Sequence, residues 1–180
     1  MTAYISERMG GTLFEIVPER DYSVSHTECS AIAQEEWCNN KCSTLRTHVE
    51  NMDDYSVVFV GFPIWVYHEP TAVLTFLEEY DFSGKTVIPF CTSMVVCVDQ
   101  SVADFKETLP DADVRQGLRI GYILLGGCQD DVDEWLDGLN ISSGTDATEE
   151  LKVKVTVQEQ TLTATLLDNT PHALSWRNCR

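Results

Sequence analysis

Ser56-Val57-Val58-Phe59-Val60-Gly61-Phe62 runs into Pro63-Ile64-Trp65-Val66-Tyr67-His68-Glu69-Pro70, and Lys85-Thr86-Val87-Ile88-Pro89-Phe90 runs into Cys91-Thr92-Ser93. Each begins as a short apolar run and ends in a loop. A strand that is apolar at successive positions is covered on both faces. Between the two runs, Pro70 suits the first turn of a helix, and Val73, Leu74, Leu77 and Tyr80 recur at helical spacing. Strand, helix, strand in this style predicts a parallel sheet with helices packed on it. Ligands of such sheets lie just beyond the carboxyl ends of the strands, where both loops stand.

Outward from this stretch, Met1 to Met9 reads as a helix closed by Gly10-Gly11, and Thr12 to Val17 as a strand stopped by Pro18. Asp21 to Glu50 is polar and weakly periodic, with one helix expected near Ala31 to Asn39. Ser101 to Leu109 reads as a helix with Val102, Phe105 and Leu109 on one face, and Val114 to Ile123 holds a weaker strand. Asp130-Asp131-Val132-Asp133-Glu134 opens a helix whose acidic first turn suits the positive helix end, and which buries Val132, Trp135, Leu136 and Leu139. Residues 141–150 have linker composition. Beyond them Lys152 to Val157 and Thr161 to Leu166 alternate apolar and polar, the pattern of an antiparallel hairpin.

The chain has 180 residues, 43% of them apolar, enough for one packed domain with room for a fragment of another. A formal charge of −17 argues against nucleic acid or an anionic membrane as partner and suits basic proteins or simple solubility. No apolar run approaches the ~20 residues needed to span a bilayer. Met1 to Arg8 shows no secretory core, so a cytoplasmic setting is expected. The seven cysteines are scattered and form no disulfide framework. Cys29, Cys38, Cys42 and His48 match no zinc spacing, so no metal site is expected. Cys91 reads as a small core residue ending a strand, and a thiol enzyme built on Cys91 or Cys97 has no paired histidine nearby in sequence.

The strings "LFEIVPERDYS", "GFPIW", "TFLEEYDFSGKTVIPFCTS" and "GLRI", in this order, closely resemble the flavodoxin-like proteins of anaerobic and gut bacteria, from about Tyr4 to Leu139. The resemblance implies an α/β three-layer sandwich on a parallel sheet. It also implies flavin mononucleotide (FMN) as cofactor and electron transfer to a redox protein or small acceptor. Pro63, Ile64, Trp65 and Val66 would line one side of the flavin ring; Thr92, Ser93 and Met94 would form the other loop, and Tyr67 would shield the ring or pack the rim. The redox chemistry would belong to the cofactor, so no catalytic acid, base or nucleophile is required. "KVKVTVQEQTLTATLLDNTPHAL" resembles the opening of a bacterial cyclophilin-like domain. The implied division is 1–140 flavodoxin-like, 141–150 linker and 151–180 partial cyclophilin-like.

Two departures qualify the resemblance. The family's first strand and its Ser/Thr/Gly-rich phosphate loop have no counterpart ahead of Met1, which removes the usual FMN phosphate anchor. Met94-Val95-Val96-Cys97-Val98 stands where the family carries glycines, stiffening the second loop. The missing strand would leave Thr12 to Val17 and Ser56 to Phe62 without their shared neighbour, and Lys152 and Lys154 speak against the C-terminal hairpin filling a doubly covered slot. The alternative reading is therefore a non-catalytic remnant or protein-binding module that no longer binds flavin.

Overall fold

The computed structural model describes residues 1–22, 25–39, 43–94, 96–121 and 129–141, together with the backbone of 153–157. The chain runs α1 (Thr2–Met9), β1 (Thr12–Glu15), α2 (His26–Cys38), β2 (Val57–Pro63), α3 (Thr71–Glu79), β3 (Thr86–Thr92), α4 (Asp99–Thr108), β4 (Asp113–Val114), β5 (Leu118–Ile120), α5 (Gln129–Gly138) and β6 (Val153–Val157). Six strands form one sheet in the order β1-β6-β2-β3-β4, with β5 also pairing β3. Every pairing between these strands is parallel.

The apolar-on-both-faces reading of β2 and β3 is what creates three layers. Val58, Val60 and Phe62, with Val87 and Cys91, pack under Val73, Phe76, Leu77 and Phe105 of α3 and α4. The alternate residues Val57, Phe59, Ile88 and Phe90 pack under Ile5 and Met9 of α1 and Val132 and Leu136 of α5. On that second face Tyr4 donates to Asp133 at 2.7 and 2.8 Å, tying the two helices together. α1 closes as expected: Gly10 adopts φ 66°, the left-handed conformation glycine takes without steric cost. α2 begins at His26, five residues earlier than its sequence suggests, because its buried positions Cys29, Ala33 and Glu36 are small or polar and leave no apolar stripe.

The C-terminal expectation is corrected. Val153–Val157 is a parallel strand seated between β1 and β2, with Thr12↔Lys154 and Glu15↔Val157 on one side and Val57↔Val153 and Gly61↔Val157 on the other. Both of its hydrogen-bonding edges are occupied, so the antiparallel hairpin partner has no free edge over these residues. Thr161 to Leu166, the expected second arm, lies outside the described residues. The slot between β1 and β2 is thus filled by Val153–Val157, despite Lys154. Physically, an empty slot would leave two rows of backbone donors and acceptors unpaired beside apolar surface, a greater cost than one lysine in a run otherwise made of Val and Thr.

Candidate functional site

β2 and β3 stay in register to their last residues, Pro63 opposite Thr92, and the pairing continues into the loops as Ile64 N donates to Thr92 O at 3.1 Å. The two loops singled out by sequence therefore leave the same rim side by side. Beyond Thr92, Ser93 N donates to Ile120 O at 3.1 Å, binding the second loop to β5. The Ser93 hydroxyl accepts from Val96 N at 2.9 Å, which shapes its own loop. The Arg119 guanidinium stands 3.4 Å from the Ser93 carbonyl oxygen and brings a cation to this rim.

The first loop contains a tight turn. Trp65 N donates to His68 O at 2.7 Å and His68 N to Trp65 O at 3.0 Å, with Val66 at φ 48° and Tyr67 at φ 79°. Two successive positive φ values are the type I′ hairpin turn, which ordinarily takes Asn-Gly. A β-branched valine and a tyrosine there are strained, and such strain gathers at binding sites. Its effect here is to present Tyr67 outward, 54% exposed, on the same rim as Met94, 70% exposed. Tyr67→Gly is expected to raise stability by about 1 kcal/mol by removing a left-handed side chain, read as a higher denaturant midpoint.

Trp65 sits otherwise. Its indole is 7% exposed and packs with Tyr22, Cys29 and Ala33, meeting the Tyr22 ring edge-on at 4.9 Å. It anchors the loop against α2, leaving no free face for stacking, and Val66 packs on the same cluster. Pro63, Ile64, Thr92 and Ser93 are brought together, with Tyr67 and Met94 as the outward apolar groups; Val95 lies outside the described residues.

Beneath the first loop lies a buried polar network invisible to motif reading. Glu36 of α2 accepts hydrogen bonds from Tyr22 at 3.0 Å and Thr71 at 2.9 Å, and pairs with Arg20 at 3.1 Å. Burial, with the Glu36 charge adding to it, pushes the Tyr22 hydroxyl up to about 12. Trp37 Nε1 donates to Glu69 O at 2.9 Å, and the His68 ring stacks on Trp37 with centroids 4.0 Å apart. Cys91 is a core residue, and burial pushes its thiol up to about 12, well away from a nucleophilic thiolate. Cys29 is buried and Cys38 exposed, while His48 pairs with Glu79. Cys42 lies outside the described residues. Among the described residues no group of three or more metal-binding side chains forms, and no helix is long and apolar enough to cross a membrane.

The family model described as Flavodoxin matches residues 3–139. The chain belongs to the flavodoxin family. Among solved structures, this flavodoxin-family chain is similar to a protein from Bacteroides eggerthii provisionally designated a flavoprotein, at 27% identity and TM-score 0.65, over 78% of this chain and 88% of that one. A second such protein, from Bacteroides uniformis, matches at 25% identity and TM-score 0.65, over 75% and 86%. A flavoprotein from Lactobacillus acidophilus, solved in complex with FMN, shares the fold at 21% identity and TM-score 0.51, over 67% and 76%. No curated protein matches. The flavodoxin match ends before β6, and none of these comparisons supports the cyclophilin-like resemblance of the C-terminal segment.

Proposed function

We propose that this flavodoxin-family chain binds FMN at the rim formed by residues 63–67 and 92–94 and passes electrons to a redox protein or small acceptor. The observation that carries the proposal is the continuous seam from Pro63↔Thr92 to Ile64 N and Thr92 O, which makes one platform of two loops. The donor set suits a flat heterocycle. Tyr67 and Met94 offer apolar contact, backbone groups of the loops can bond a polar ring edge, and Arg119 supplies positive charge beside the second loop. When bound, the flavin would supply the redox chemistry; the protein's part is to hold it, orient it and exclude water. Two relatives designated flavoproteins at 27% and 25% identity, and a more distant one solved with FMN, support the choice of cofactor. A cytoplasmic setting belongs to the same proposal, since Cys29, Cys91 and Cys97 are free thiols among the described residues.

A second reading, a protein-binding module without flavin, draws on the packed Trp65, which offers no stacking face. Titration of FMN into the purified chain separates them. The proposal expects saturable quenching of flavin fluorescence and a shifted absorbance band. A chain that stays colourless and leaves the fluorescence unchanged at excess FMN favours the second reading.

A further inference from the structure

Glu69 is completely buried, and among the described residues neither of its carboxylate oxygens meets a donor in full hydrogen-bond geometry, the Ser101 hydroxyl and its own main-chain N–H being the donors that bear on it. Ser101, in the first turn of α4, is likewise fully buried, and its hydroxyl bears on the Glu69 carboxyl without reaching full hydrogen-bond geometry. An unpartnered buried carboxyl is costly, and as an anion far more so than as an acid. Such a group in the ring-side loop calls for an explanation that packing alone does not give.

Its surroundings are specific. The main chain of Glu69 is held on α2 by the Trp37 indole, and the preceding His68 reaches α4, with Nδ1 3.4 Å from Asp104 Oδ2. The groups that act on the Glu69 carboxyl are Ser101 and Asp104 of α4 and His68 of its own loop. The Cys91 thiol of β3 lies within electrostatic reach of the same carboxyl. α3 places no acid in its first turn, and the Glu36 carboxylate of α2 is saturated by its own network. Of these neighbours only His68 can be cationic, and its Nδ1 already faces Asp104. Glu69 thus closes the seam between loop and helix with no counter-charge dedicated to it.

We propose that Glu69 is a positioning residue of the ring-side site: as a neutral acid it lets residues 64–70 seat on α4, and its ionisation unseats that loop and weakens ligand binding. The ligand half of this inference rests on the flavin reading above; the loop half does not. Burial raises the Glu69 pKa above the ordinary carboxyl value, the Ser101 hydroxyl, its own main-chain N–H and His68 pull it back, and Asp104 adds to the rise. The folded state therefore keeps a proton that the unfolded chain has lost. The corresponding stability is full below the unfolded carboxyl pKa and declines as pH rises from there through the folded value.

The test compares the full chain with Glu69→Gln, an isosteric neutral side chain, and Glu69→Met, an apolar one of similar length, between roughly pH 5 and pH 8. Amide exchange in the ligand-free protein should show the wild-type 64–70 loop losing protection as pH rises, while Glu69→Gln keeps it at all pH values. FMN affinity should fall by about tenfold or more over the same range in the wild type and stay flat in Glu69→Gln. If Glu69→Gln does not fold, Glu69→Met carries the comparison, with the same flat profile expected. Parallel pH profiles for wild type and variant would overturn the proposal, as would a Glu69→Gln protein less stable than the wild type at neutral pH. Should FMN bind neither protein at any pH, the flavin reading falls, and the exchange profiles of the free protein still decide the role of Glu69.

Discussion

Replacing Val155 with proline is expected to unfold the domain or lower its stability by about 3 kcal/mol or more. Val155 is the middle residue of β6 and stands opposite Leu13 of β1 and Phe59 of β2. Proline has no N–H to give to the ladder, and it is confined to strand edges and bulges rather than central positions. Because β6 joins β1 to β2, its loss would do more than remove one strand. It would expose the facing edges of both neighbours beside the buried Val58 and Val60, a surface prone to association. Circular dichroism melts and size-exclusion profiles of Val155→Pro should show a lower midpoint with aggregation. A variant as stable and monodisperse as the wild type would mean that the C-terminal strand does not complete the sheet in solution.

Gly61→Ala should be nearly as damaging, at the upper end of the ~1–3 kcal/mol typical of overpacked cores. A Cβ at Gly61 would fall 2.2 Å from the tip of the Phe90 ring, its cross-strand partner on β3. Phe90 is buried among Ile5, Ile88 and Val132, so the ring has nowhere to retreat. The prediction has an internal control. Phe90→Leu alone costs stability by leaving a cavity, yet together with Gly61→Ala it should restore part of what the alanine removes, because two contacting changes are not additive. Denaturant unfolding of the two single variants and the double gives the coupling energy directly. Simple additivity would show that the close approach of Gly61 to Phe90 is not what fixes the residue as glycine.

What was legible in the sequence follows from how strongly each residue's surroundings are dictated locally. β2 and β3 are apolar at nearly every position, which only a doubly covered strand requires, and the rim that brings Pro63 to Thr92 follows from that alone. The Gly10 cap and the acidic first turn of α5 are equally local signals. β6 was not legible. Val-Lys-Val-Thr-Val alternates as a half-solvated strand does, and its place is set by an unpaired slot between two elements far earlier in the chain, β1 and β2. The family resemblance sets Trp65 along the ring, whereas its residue type alone suits core or loop packing, and Tyr22 with α2 holds it in that packed role. Glu69 gave a faint signal, an acid between His68 and the proline that opens an apolar helix, but nothing in sequence shows that neither of its oxygens meets a donor in full hydrogen-bond geometry.

The central claim is that the two loops at the carboxyl rim form a single ligand site. The most direct measurement is an amide chemical-shift titration of the isotopically labelled chain with FMN. The account predicts that the largest shifts fall on Ile64, Val66, Tyr67, Ser93 and Met94, with Arg119 of β5 close behind. A shallow cleft of about 330 Å³ at the opposite rim, lined by Leu77, Tyr80, Phe82, Leu109 and Pro110 among others, provides the contrast. Shifts gathered there, or spread without focus while the rim residues stay still, would contradict it.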